Sequence, residues 1–315
     1  MSCWAMGSSL AEVGAVYVGS SPVKRIVLNG TTLWDNAAKF ALVGSFSCAY
    51  SNAGSVFTQG VMPSSSTYGD LTGVAFGNGI YLACGTNCFL ASEDGVSYTK
   101  TASPNGTMQS VCYADGKFVS ICNNTDRIYR SADGVNLEYS ECTGSWRDIC
   151  HGNGKFYICS GNGRFAKSDD AVTWSKTDIA GSWRGIGYGN DTIVMTEHSG
   201  SEHSKISTST DDGATWTDHS FTGKYDRIAY GDGIFLAVGN PNSLAYSKDG
   251  GATWNALSLT GEWKDVAYRN GRFYSVSNDY KIAVSPDPEL NWDVEDNWSM
   301  SVLPIKAVSI AVKTL

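Results

Sequence analysis

One turn recurs seven times along this chain, and its spacing constrains the fold more than any other feature. Its fullest form is Ser247-Lys248-Asp249-Gly250-Gly251-Ala252-Thr253-Trp254. Weaker copies run from Ser51 to Phe57, Ser92 to Tyr98, Ser131 to Leu137, Ser168 to Trp174, Ser209 to Trp216 and Ser285 to Trp292. The closing apolar residues fall at 57, 98, 137, 174, 216, 254 and 292, in steps of 41, 39, 37, 42, 38 and 38. A period near forty residues marks stacked supersecondary units that cannot bury their apolar faces alone.

Between these turns lies a second element with the same period. An apolar strand meets an Asn-Gly or Asp-Gly pair, and a strand opening on Phe or Tyr follows. Val74 to Tyr81 is one copy; Val111 to Phe118, Ile149 to Phe156, Ile228 to Phe235 and Val266 to Phe273 are others, and Ile186 to Ile193 is a degenerate one. These dipeptides accept positive φ at both central positions and so close two-residue hairpins. A third strand leads into the Ser-x-Asp turn, whose side chains bond nearby backbone N–H groups. The closing Trp is read as opening a fourth strand. Four short antiparallel strands per repeat make a propeller blade. The predicted fold is therefore all-β: a seven-bladed β-propeller over residues 35–315, preceded by a β attachment module at 1–34. The Trp174, Trp216, Trp254 and Trp292 side chains are expected at equivalent buried sites. The first blade lacks a clear inner strand. Thr31 to Asp35 is one source and the C-terminal segment 298–311 the other; the latter is favoured because it removes an exposed sheet edge.

The nine cysteines are odd in number. Cys112 and Cys150 occupy the slot of Ala75, Ala229 and Ala267, and Cys84 and Cys159 that of Val43, Val238 and Val276. They read as small core hydrophobes rather than disulfides or metal ligands, which implies a reducing compartment. No cofactor or metal is expected. The segment Met1 to Gly19 has no basic residue and no uninterrupted apolar core, so it does not read as a signal peptide. The formal charge of −8, with no basic cluster beyond Lys24-Arg25, argues against nucleic acid as a partner. No stretch is long and apolar enough to insert in a membrane.

At this point the residues carry a resemblance. The forms at Ser247 to Trp254 and Thr210 to Trp216 resemble the Asp-box of sialidases and related propellers. The pattern from Trp263-Lys264-Asp265-Val266-Ala267-Tyr268 to Phe273 is similar to propeller repeats in bacterial and bacteriophage proteins. Ala15-Val16-Tyr17-Val18-Gly19, followed by Val23 to Asp35, resembles a short β module near the start of phage tail and other virion proteins. The resemblance implies a multicopy, non-enzymatic virion protein, made in the host cytoplasm. Its residues 1–34 would join other virion proteins, and its ring would contact a host-surface glycan or protein. Seven-bladed assembly factors of photosystems offer a third likeness, but those are exported.

The alternative is a carbohydrate-active enzyme of sialidase-like fold. That chemistry needs three arginines on the substrate carboxylate, a Tyr nucleophile with a Glu partner, and an acid Asp, an exception among glycosidases. The early arginine motif is missing, since Lys24-Arg25-Ile26-Val27 does not supply it, and Arg147, Arg184 and Arg227 are read as following the phase of the repeat. No catalytic residue is assigned. For binding, two groups stand out. Glu197-His198-Ser199-Gly200-Ser201-Glu202-His203 holds two of four histidines, and with Asn240 and Asn242 it belongs to the loops joining second to third strands. The first-strand openings Trp146-Arg147, Trp183-Arg184, Tyr225-Asp226-Arg227 and Trp263-Lys264 bring aromatic and cationic groups near the axis, where they suit a sugar or acidic ligand. Blade-to-blade packing is the competing account of the aromatics.

Overall fold

In four inner hairpins, at Asn78-Gly79, Asp115-Gly116, Asn153-Gly154 and Asp232-Gly233, both central residues stand at positive φ. Asn78 and Gly79 stand at 48° and 78°, and Asp115 and Gly116 at 49° and 74°. The degenerate copy reaches the same shape without glycine, through Asn190 at 46° and Asp191 at 54°. The computed structural model describes residues 17–18, 21–22, 25–28, 31–35, 40–44, 47–51, 58–64, 68–198, 203–269, 271–279, 281–289, 292–296 and 307–312.

Six sheets follow in chain order, each of four antiparallel strands in meander order. Blade 2 runs Leu71–Gly77, Ile80–Gly85, Cys88–Ser92 and Thr99–Ala102. The inner strands of blades 3 to 7 are Met108–Ala114, Trp146–Gly152, Trp183–Gly189, Arg227–Gly231 and Trp263–Arg269. Blade 1 is composite. Ala307–Val312 is its inner strand and pairs antiparallel with Phe40–Gly44, which continues to Ser47–Ser51 and Thr58–Gln59. Thr31–Asp35 pairs instead with Arg25–Leu28. The fold is a seven-bladed β-propeller.

The core lies between blades rather than within one. Leu82, Cys84 and Phe89 of blade 2 pack on Met108, Val111 and Phe118 of blade 3. Phe40, Leu42 and Ala49 of blade 1 pack on Tyr274, Val276 and Ile282 of blade 7, which closes the circle. The approach is close where inner strands end. A Cβ on Gly189 would lie 2.0 Å from the Tyr230 ring of the next blade, and one on Gly231 would meet Tyr268 equally closely. The eight described cysteines are free thiols, and Cys3 lies outside the described residues. Burial pushes the Cys48 and Cys84 thiols up to about 12.

The recurring tryptophans divide into two sets. Trp146, Trp183 and Trp263 are 0% exposed and Tyr225 is 1%. Each indole Nε1 donates to a carbonyl four residues earlier: Cys142 at 2.7 Å, Ile179 at 3.1 Å and Leu259 at 2.9 Å. The turn tryptophans 174, 216, 254 and 292 occupy equivalent positions but are only half-buried, which corrects the expectation of buried sites. They precede the outer strand rather than opening it. That strand is the edge of its blade, with exposed faces as at Ser175–Asp178, so the indole packs on one side only.

In five copies, those starting at Ser92, Ser131, Ser168, Ser209 and Ser247, the Ser-x-Asp turn is built from local hydrogen bonds. Ser247 Oγ donates to Asp249 Oδ1 and accepts from Gly251 N–H, both at 2.8 Å. Asp249 Oδ1 accepts from Thr253 N–H at 2.9 Å, and Oδ2 from the Thr253 hydroxyl at 2.6 Å. The threonine bonds, with that from Ser247, hold the Asp249 carboxyl down at about 2, and Thr215 acts alike on Asp211. Asp170 is held at about 2 by the Thr173 and Val172 N–H groups. An unfolded Asp titrates near 3.9. Because the folded values are depressed, the stability from these turns is present above about pH 4 and is lost as pH falls toward 2. Thermal melting at pH 5 and at about pH 2.5 should show a clear drop, and Asp249→Asn should make that drop smaller. A melting temperature flat over this interval would contradict the assignment.

Candidate site at the axial mouth

A β-bulge positions the site. Besides the shift between Ala307 and Ser309 in blade 1, the pairing skips one residue in five inner strands: between Leu71 and Gly73, Met108 and Ser110, Trp146 and Asp148, Trp183 and Gly185, and Trp263 and Asp265. Bulges re-aim a side chain. The skipped residues are Thr72, Gln109, Arg147, Arg184 and Lys264, and together with Asp70, Leu71, Asp226 and Arg227 they line one cavity of about 340 Å³. It opens at the starts of the inner strands, on the rim that carries the loops between second and third strands.

Arg227 forms the floor. It is not in phase with Arg147 and Arg184: following Tyr225, Asp226 takes their position, and Arg227 falls level with Asp148 (Arg227 pairs with Val238 as Asp148 pairs with Cys159). Its Nε lies 3.7 Å from Asp148 Oδ1. Its Nη1 donates to the Arg184 and Asp226 carbonyls at 3.2 and 3.0 Å, and Nη2 reaches across the axis to the Gln109 carbonyl at 3.4 Å. Burial lowers the Arg227 guanidinium, but Asp148, Asp265 and Asp226 outweigh it and hold the group above its ordinary value. Burial likewise pushes the Asp148 carboxyl up, with Arg227 and the Ile186 N–H opposing. That N–H donates to Asp148 Oδ2 at 3.1 Å from the next blade. Beneath the pair lies a second cavity of about 240 Å³ reaching Tyr188 and Tyr230.

Above the floor the charges do not balance. Lys264 Nζ is 3.9 Å from Asp226 Oδ2, and His198 Nδ1 is 2.7 Å from Asp226 Oδ1. Among the described residues Arg147 reaches only Gln109, by one Nη1 bond to Oε1 at 3.4 Å. The Nε atoms of Arg147 and Arg184 are buried with no hydrogen-bond partner among the described residues. Burial, then Arg184 and Arg227, lowers the Arg147 guanidinium. Two arginines thus stand with incomplete shells on a chain of net charge −8.

The structure brings together part of the sequence-predicted set. Arg147 and Arg184 share the mouth, and His198 joins it through Asp226. The aromatics Trp146, Trp183, Tyr225 and Trp263 are core groups and present no surface to a ligand, because each folds back over the loop before its strand. Glu197 accepts the Ser182 N–H at 3.1 Å, and Asn242 the Gly261 N–H at 2.8 Å. Both act as ties between a turn and the incoming loop, as Asn87 does for Gly106. Asn240 precedes Pro241 in the blade 6 turn. His203 begins the third strand of blade 5, and Glu202 lies outside the described residues. Sequence reasoning missed Gln109, Asp70, Thr72 and Asp148.

No protein-family model and no curated protein matches the chain. Among solved structures it is similar to YCF48 bound to D1 peptide, at 17% identity and TM-score 0.58, covering 74% of this chain and 84% of that one. It is also similar to virginiamycin B lyase from Staphylococcus aureus, at 13% identity and TM-score 0.64, covering 73% and 85%. YCF48 from Cyanidioschyzon merolae aligns at 14% identity and TM-score 0.56, covering 73% and 85%. These likenesses establish the propeller, and a fold alone does not give a function.

Proposed function

We propose that the chain is a non-enzymatic bacteriophage virion protein whose ring contacts a host-surface glycan or protein through the rim bearing the axial mouth. The observation that carries the binding reading is the Arg147–Arg184 pair, which lines a cavity mouth with no carboxylate in ion-pair contact among the described residues. The virion reading rests on the resemblance of residues 15–35 to a virion β module. The two short hairpins at Tyr17–Pro22 and Arg25–Asp35 would attach the ring to neighbouring virion proteins, since a lone hairpin is barely stable in water. Copies on one particle would multiply weak single-site binding.

Deleting residues 1–30 should leave a ring that melts like the parent but no longer enters particles. Particles lacking the ring should bind host cells less. Normal incorporation of the truncated chain, or unchanged cell binding by ring-less particles, would refute the proposal.

One observation favours a second reading, a carbohydrate-active enzyme. The His198 imidazole held at 2.7 Å by Asp226 has the arrangement of an oriented general base. Incubation with host polysaccharides, with products sought by mass spectrometry, separates the two: released fragments that vanish with His198→Ala would support the enzyme.

A further inference from the structure

We propose that the axial mouth is a binding site for a sugar acid, whose carboxylate sits on Arg147 and Arg184. This deepens the binding reading above and rests on it. Charge is the first argument. Arg227 is matched by Asp148 and Lys264 by Asp226, whereas no carboxylate of the described residues forms an ion pair with Arg147 or Arg184. Like charges lining one cavity repel, and burial adds to the cost of the Arg147 charge; its lowered value reports both. An anion between them removes the repulsion and gives the guanidinium groups that line the cavity a partner, which a carboxylate does with two parallel bonds.

The remaining lining selects the rest of the ligand. Asp226, Asp70 and the Gln109 amide offer acceptors there, and Thr72 a hydroxyl. Acceptors in one cavity with a cation pair suit a ring that bears one carboxylate and several hydroxyls. Leu71 is the one apolar residue of this lining, so the cavity offers little to an apolar peptide side chain. The volume of about 340 Å³ is at the lower end of small-molecule sites, roughly 300–1,000 Å³, and fits one or two sugar units. Arg227 and Asp148 close the floor, so the ligand enters from the rim and does not thread the ring.

The test is titration calorimetry on the full chain with glucuronate, galacturonate and N-acetylneuraminate. Glucose, galactose, the methyl ester of glucuronate, inorganic phosphate and a short peptide with a free C-terminus are the comparators. At least one sugar acid should bind about tenfold or more tightly than its neutral counterpart, the ester and the peptide. Arg184→Met, which keeps the aliphatic stem, and Arg147→Met should each weaken that binding by about tenfold or more at an unchanged melting temperature. Arg184→Lys should recover only part of it, because it cannot bond bidentately. If a variant does not fold, the ester comparison on the parent chain still decides. Equal binding of glucuronate and its ester, tighter binding of phosphate or peptide than of every sugar acid, or full affinity in folded Arg variants would overturn the inference. Host-cell binding without sugar-acid preference would sink the inference and spare the binding reading. Sugar-acid binding without cell attachment would do the reverse.

Discussion

Trp183→Ala is expected to cost about 3–5 kcal/mol, the range for a large aromatic cut from a packed core. The indole is fully buried and packs with Tyr157, Cys159 and Phe165 of blade 4 and Ile193 of its own blade. Its removal empties a seam between two blades and leaves the Ile179 carbonyl without its donor. Trp216→Ala should cost less, since that side chain is half-buried and packs from one side, chiefly on Phe165 at 5.2 Å between ring centroids. Urea denaturation of both variants checks the order. A Trp216→Ala loss equal to or above that of Trp183→Ala would mean that the turn tryptophans carry the ring.

The contrast shows what the sequence made legible. Period and turn chemistry were enough for the blade count, because Asn-Gly hairpins and Ser-x-Asp turns are built from local bonds and leave a local signature. Depth was not, because a constant offset establishes that Trp174, Trp216, Trp254 and Trp292 are equivalent without saying which strand meets solvent. A signal for the deeper set was present. Gly144, Gly181, Gly223 and Gly261 each stand two residues before the buried aromatic, and a Cβ at any of them would come within 2.9 Å of that ring. Glycine there is the mark of an aromatic folded back on its own loop. The mouth was half-legible. Arg147 and Arg184 recur in phase, but the bulge that turns them to the axis appears only in pairing with the second strand. The offset of Arg227 by one residue could be counted from Tyr225. Its contact with Gln109, 118 residues away, is a property of ring closure and has no local trace.

That offset carries the other large effect. Arg227→Met should cost about 3–5 kcal/mol, because it leaves Asp148 buried without its cation. The Asp148 side chain is 7% exposed and the Arg227 side chain 19%, so water does little to compensate. The melting temperature should fall by on the order of ten degrees. The sign of the pH dependence is set by burial, which already raises the Asp148 carboxyl in the parent. Without the guanidinium it rises further, so the folded state holds that proton more tightly than the unfolded chain does. The deficit of Arg227→Met is therefore largest at neutral pH and shrinks as pH falls toward 5. Adding Asp148→Asn removes the stranded charge and should restore much of the loss. The remainder belongs to the carbonyls of Gln109, Arg184 and Asp226, which lose their shared donor. A double-mutant cycle isolates the pair energy. A single-variant loss below about 1 kcal/mol, or a deficit that does not change with pH, would show that the ring closes without this crossing.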